Sequence, residues 1–189
     1  MTAQAPRRRP QESVVLLDAR HEPIGTAAKS EVHTRTTPLH LAFSCHVFAP
    51  DGRVLVTRRS LAKQAWPGVW TNSVCGHPAP GEAGEEAVRR RARYELGLEL
   101  GAVVEVLPEF AYRAEDASGI VENEFCPVHF ALAAGEPEPR ESEVAEHRWV
   151  APAELVAAVA AAPWAFSPWL VLQMSDFASR GIDYLAPHQ

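Results

Sequence analysis

The stretch GHPAPGEAGEEAVRRRARYELGL, Gly76 to Leu98, decides the fold. Its second half is a helix by pattern, because Val88, Ala92 and Leu96 recur every four residues and make one apolar face. Gly97 is a C-terminal cap, the residue type that adopts a left-handed backbone most cheaply. Glu85 with Arg89 and Glu86 with Arg90 have the favourable order for ion pairs one turn apart, and read as surface decoration. Arg91 lies one turn before Glu95 on the same face, so both can address one anion. The first half is a glycine- and proline-rich turn that joins this helix to the preceding WTNSVC, read as a short strand.

Working outward, strands stand on both sides of the helix. SVVLLD is a first strand closed by the turn ARHEPIG, and LHLAFSCHVFAP is a long apolar strand. Asp51–Gly52 is a hairpin turn into the alternating RVLVTRR. AVVEVLPEFAYRA, IVENEFCPVHFALA and EHRWV are later strands, AGEPEPRESE is a surface linker by composition, and PAELVAAVAAA and PWLVLQMSDFAS are closing helices. The expected fold class is α/β, a mixed sheet sandwich flanked by helices. Residues 1–12 read as a disordered polar leader and 13–185 as a single domain; residues after Tyr184 read as a loose tail.

Composition excludes several function classes. A net charge of −6 over 189 residues argues against nucleic acid as the main partner. No apolar run approaches membrane-spanning length. The leader has arginines but no apolar core, so it is not a secretory signal. Cys45, Cys75 and Cys126 are an odd number without framework spacing, which favours free thiols and the cytoplasm. No exposed apolar heptad or second core is visible, and a monomer is expected.

Cys75 and His77 sit two residues apart where the strand meets the turn. Alone, they fit a zinc knuckle, a nucleophile with its base, or a buried strand end. A knuckle needs a second cysteine pair, which the chain lacks. EVHTRTTPLHLAF supplies His33 and His40, and SGIVENEFCP supplies Glu122 and Glu124. On a strand those two glutamates share a face, where bare carboxylates repel unless a cation lies between them. His21, His46, His129, His147 and His188 read as surface or hydrogen-bonded residues. Trp66, Trp70 and Trp164 read as packing or loop anchors, and Arg58 as solvated.

Gly76, Glu82, Arg90, Glu95, Gly97 and Leu98 fall at the fixed points of a pattern that resembles the Nudix box, which implies diphosphate binding. Arg91 and Tyr94 stand where that pattern expects glutamates. Only Glu95 remains of the carboxylate cluster, a poor start for the several-metal site of a hydrolase. The runs VLVTRR, AWPGVWTNSVCGHP, RRRARYELG, YRA with SGIVENE, and PWAFSPW together resemble the type 1 isopentenyl-diphosphate isomerases of the Nudix superfamily, over about Lys29 to Trp169. The resemblance implies that His33, His40, His77, Glu122 and Glu124 hold a buried divalent metal, for which Zn²⁺, Mn²⁺ and Mg²⁺ all suit the donor set. It implies that Cys75 and Glu124 are the catalytic proton handlers, with Glu124 near Tyr112. Glu95 is expected to hold Mg²⁺ on the diphosphate. Lys29, Arg59, Lys63 and Arg91 are expected to grip that diphosphate, and Tyr112 and Trp169 to line the hydrocarbon. The implied reaction interconverts isopentenyl and dimethylallyl diphosphate in isoprenoid biosynthesis. A Nudix-type diphosphate hydrolase and a non-enzymatic metal-binding regulator are the alternatives; release of phosphate separates the first, and indifference to Cys75→Ala the second.

Overall fold

The computed structural model describes residues 12–185. In chain order it contains β1 (Ser13–Leu17), β2 (Pro23–Ala28), α1 (Lys29–Val32), β3 (His40–Leu41), β4 (Phe43–Phe48), β5 (Val54–Arg59), β6 (Trp70–Thr71) and β7 (Val74–Gly76). Then come α2 (Gly84–Leu96), β8 (Leu100–Leu107), β9 (Ala111–Glu115), β10 (Val121–Phe125), β11 (Val128–Ala133), β12 (Val144–Val150), α3 (Pro152–Ala161) and α4 (Pro168–Arg180). One sheet runs β2-β1-β3-β10-β9; the other runs β12-β5-β4-β11-β8, with β6 added to β5 and β7 to β4.

The strand expected over Leu39–Pro50 is two strands in two sheets. β3 pairs with β1 and β10 in one, whereas β4 pairs with β11 and β7 in the other. IVENEFCPVHFALA breaks in the same way, between β10 and β11. Pro127 has no N–H for a ladder, so the break falls there. The neighbouring chain bends with it: Ala42 N–H donates to Phe125 O at 2.8 Å and Ser44 N–H to Pro127 O at 3.0 Å. Two parallel strand pairs therefore cross from sheet to sheet side by side, and the candidate site lies at this seam.

WTNSVC is likewise not one strand. Between β6 and β7, Ser73 Oγ accepts from Val47 N–H at 2.7 Å and donates to Leu55 O at 2.6 Å. Asn72 is fully buried. Polar side chains thus replace ladder bonds and let the segment step from β5 to β4. The turn after β1 leads into β2, whose first residues, Pro23 to Gly25, the turn composition of ARHEPIG concealed.

The helix α2 matches its pattern, with Gly97 left-handed at φ 60°. Val88, Ala92 and Leu96 are fully buried against Phe43, Cys45, Val47 and Leu55. A fully buried leucine contributes about 1.5–3 kcal/mol. The same buried stripe carries Arg91 and Glu95, which burial statistics alone would place outside. A second core, including Phe48, Phe130, Leu170 and Phe177, gathers around the sheet, α3 and α4.

Several expectations change. Arg90 does not pair with Glu86; it makes two bonds to Glu82, at 2.6 and 2.7 Å, and one to His77 O at 3.0 Å. The loop carboxylate meets the guanidinium fork side-on, a better geometry than one turn of helix allows, and pins the loop that carries His77. Glu12, the one described residue of the expected leader, is exposed and pairs with Lys29 at 2.6 Å; residues 1–11 and the tail beyond Leu185, including His188, lie outside the described residues. Trp164 is 83 % exposed and anchors nothing in the core. Arg58 is ion-paired with Glu146 at 2.6 Å rather than merely solvated, whereas His46, fully buried, is hydrogen-bonded as expected, to Gln173 and Tyr184.

Candidate active site

Three imidazoles and a carboxylate converge at the seam. His33 follows α1, His40 lies in β3, His77 follows β7, and Glu124 faces His40 across the parallel β3–β10 pair. One donor atom from each of His33, His40, His77 and Glu124 falls within 4.8 Å of the others. His40 Nε2 and His77 Nε2 are 3.2 Å apart, and Glu124 Oε1 is 3.2 Å from His77 Nε2 and 3.5 Å from His40 Nε2. Glu122 is outside this foursome. Its Oε2 is 3.0 Å from His33 Nε2, yet neither atom has a hydrogen bond, because the approach has the distance without the angle.

These atoms suit a divalent cation. Two buried donors facing each other without a hydrogen bond are what ligands of one ion look like. His40 Nδ1 lies 2.9 Å from Pro38 O, so that nitrogen carries the proton and Nε2 turns a lone pair to the centre. Burial drives His77 down to about 4 despite the opposing pull of Glu124, leaving it neutral. Burial also opposes charge on His40, but Glu124 outweighs it and the net shift is upward. Glu124 would rise through burial, yet His40 and His77 hold it well below the usual carboxylate range. Glu122 is raised by burial and by Glu124.

The centre opens into a cavity of about 940 Å³ that also exposes Cys75, Tyr112 and Trp169. Tyr112 O–H donates to Glu124 Oε2 at 2.9 Å. Cys75 lies in β7, with Sγ 3.3 Å from Ser44 Oγ and donating to Asn72 Oδ1 at 3.2 Å. The same oxygen accepts from Trp169 Nε1 at 3.0 Å. Burial raises Cys75 to about 11, which favours the thiol at neutral pH. Tyr112 is raised well above its ordinary value, first by burial and then by Glu124.

The far end of the cavity is densely charged. Lys29, Arg59, Lys63, Arg91 and Glu95 all line it, as does Glu12. Arg59 donates from Nε and Nη2 to Ala65 O, at 3.1 and 2.8 Å, and lies over the Trp169 ring at 5.3 Å. Arg91 contacts Glu95, and Lys63 contacts Glu143. Gly76 permits the close approach of Arg91, because a Cβ there would meet Arg91 Cγ at 2.9 Å. Glu95 is outside the His/Glu centre. Burial would raise its pKa, but Lys63 and Arg91 hold it low. As it stands, Glu95 is an ion-pair partner rather than an open cation ligand.

All thirteen expected site residues are thus accounted for: seven surround the metal centre and thiol, Glu95 and four cations form the charged end, and Trp169 lies between. Asn72, Ser44, Glu12 and Glu143 were not anticipated. Asn72 and Ser44 look like ordinary strand polar residues until the fold aims them at Cys75.

The chain matches the NUDIX domain family model over residues 38–170. It is 64% identical over 169 residues to a protein of Kocuria rhizophila named isopentenyl-diphosphate Delta-isomerase, a match covering 89% of this chain and 94% of that one. A protein of the same name from Klebsiella pneumoniae is 54% identical, over 89% and 92% of the two chains. Among solved structures, a Deinococcus radiodurans protein superposes with a TM-score of 0.68 at 24% identity, covering 87% of this chain and 98% of that one, a likeness of fold alone. The chain belongs to the isopentenyl-diphosphate Delta-isomerase family of NUDIX-domain proteins.

Proposed function

We propose that this protein interconverts isopentenyl and dimethylallyl diphosphate, a step in isoprenoid biosynthesis, with Cys75 and Glu124 exchanging protons with opposite faces of the alkene. The observation that carries the reading is one cavity lined by a buried thiol, a Tyr112–Glu124 pair and, at its other end, four cations. Family membership supports it independently.

In the forward direction Glu124 donates a proton to the terminal CH₂. The alkene electrons form that C–H bond and leave a tertiary cation. Cys75, as thiolate, removes a proton from C2, and the electrons of that bond close the new double bond. Glu124 ends as carboxylate and Cys75 as thiol, the pair of states that starts the reverse direction. Tyr112 orients Glu124 through its hydrogen bond. The Trp169 ring stabilises adjacent positive charge by about 0.5–2 kcal/mol. Exclusion of water from around the bound hydrocarbon would keep the cation from being trapped as an alcohol.

His33, His40, His77 and Glu124 would hold a divalent ion, with Glu122 beside His33; such an ion supplies fixed positive charge next to Glu124. Zn²⁺, Mn²⁺ and Mg²⁺ fit these donors. Lys29, Arg59, Lys63 and Arg91 grip the diphosphate and hold a small hydrocarbon in register; Glu95 would hold a Mg²⁺ ion brought with the diphosphate, which would offset its charge. We read residues 13–185 as one unit acting as a monomer in the cytoplasm. All three cysteines are free, and no helix among the described residues is long and apolar enough to cross a membrane.

The test is incubation of purified protein with isopentenyl diphosphate and Mg²⁺, following both isomer and phosphate. Dimethylallyl diphosphate without phosphate release is expected. Phosphate release without isomerisation would replace this reading with that of a hydrolase.

A further inference from the structure

Glu143 ends the segment that reads as a surface linker, yet its side chain is only 16% exposed. Its backbone is tied on both sides: Glu143 N–H donates to Arg140 O at 2.9 Å, and Ser60 N–H donates to Glu143 O at 3.0 Å. Its Oε2 contacts the Lys63 ammonium and lies 3.5 Å from Arg91 Nη2. Glu95 addresses the same two cations, contacting Arg91 and standing 3.7 Å from Lys63. Two carboxylates therefore offset two of the cations assigned to the diphosphate.

The carboxylates are not equivalent. Glu95 lines the main cavity, whereas Glu143 does not and lines a small polar cavity of about 30 Å³ that shares Arg59, Lys63, Cys75 and Glu95 with it. A diphosphate entering from the main cavity can take Lys63 and Arg91 from Glu95, which then requires another cation. Glu143, outside the main cavity's lining and with its backbone tied, keeps its place and its charge. That fixed charge disfavours a bare multiply charged anion far more than one whose charge a divalent ion has partly neutralised. We propose that Glu143 sets the selectivity of this end of the site, favouring a diphosphate that carries a divalent cation over a metal-free one. The inference rests on the reading that these cations hold the substrate's diphosphate.

The test is calorimetric titration of inorganic diphosphate into wild-type protein, Glu143→Gln and Glu143→Asp, each in Mg²⁺-free buffer and in saturating Mg²⁺. Glu143→Gln removes the charge and keeps an acceptor. It is expected to bind metal-free diphosphate about tenfold more tightly than wild type while its affinity in Mg²⁺ moves by less than about threefold. Glu143→Asp keeps the charge and should retain the wild-type ratio of the two affinities. Should Glu143→Gln bind metal-free diphosphate no more tightly, or should Glu143→Asp behave like it, the assignment is wrong. Wild-type protein that binds no diphosphate even in Mg²⁺ would overturn the substrate reading, and this inference with it.

Discussion

The two ends of the cavity solve opposite electrostatic problems. At the seam, three imidazoles and a carboxylate turn donor atoms inward, and His33 Nε2 and Glu122 Oε2 face each other without a hydrogen bond. At the far end every cation has a carboxylate or carbonyl near it: Lys29 has Glu12, Arg59 has Ala65 O, and Lys63 and Arg91 share Glu95 and Glu143. One end is built for a resident ion. The other holds its charges in internal pairs that an incoming ligand must exchange, and such exchange suits a group that has to leave after each turnover.

The comparison breaks most visibly at the residues between the ends. Cys75→Ala and Glu124→Gln should each lower isomerisation by about 10³-fold or more, the upper part of the range for general acid–base groups. Inorganic diphosphate should still bind Cys75→Ala within about threefold of wild type by calorimetry, because the thiol is not among its ligands. Equal losses of turnover and binding would mean that the ends are not separable.

At the resident-ion end, His40→Ala should lower metal affinity by more than about 100-fold, since it removes a ligand rather than an outer partner; metal content after dialysis reads this directly. Lys63→Ala should leave metal content unchanged.

His46 ties the sheet to α4, the helix that carries Trp169, through Gln173 Oε1 at 2.9 Å, and to Tyr184 O–H beyond that helix at 2.8 Å. Burial lowers its pKa to about 4, with Gln173 only partly opposing. A lowered folded value means that the unfolded chain binds the extra proton first. The contribution is complete above the ordinary value of about 6.5 and is lost as pH falls from there towards 4, amounting to about 3 kcal/mol. Urea melts between pH 7.5 and 4.5 should show this slope, and His46→Gln should flatten it. An unchanged slope would remove His46 from the account.

The smallest effect belongs to the phosphate end. Lys63→Ala should raise KM for isopentenyl diphosphate about tenfold while kcat changes less, since it removes one grip and spares the proton handlers. A kcat loss as large as that of Cys75→Ala would contradict this division of labour.

Most of this site was legible through the family resemblance, and the periodicity of the chain supported part of it. The helix period put Arg91 and Glu95 on the stripe that also carries Val88, Ala92 and Leu96, and β-strand alternation put Glu122 and Glu124 on one face. What stayed hidden depends on long-range geometry. Pro127 marked a break in its own strand, but nothing in LHLAFSCHVFAP marked the matching break at Ala42, which follows from pairing with Phe125. Glu143 sits in AGEPEPRESE, a composition that signals solvent. The segment instead closes over the end of α2, with Arg140 N–H donating to Glu95 O at 2.8 Å, and so delivers Glu143 to Lys63. Asn72 gave no signal because its importance lies in one oxygen receiving donors from residues as far apart as Cys75 and Trp169.

The account stands on Cys75 and Glu124 serving one bound hydrocarbon. Proton NMR of the reaction in D₂O tests it most directly. Wild-type protein should place deuterium in the newly formed methyl group of dimethylallyl diphosphate, and neither Cys75→Ala nor Glu124→Gln should do so at a comparable rate. Isomerisation that proceeds at the wild-type rate in either variant would contradict it.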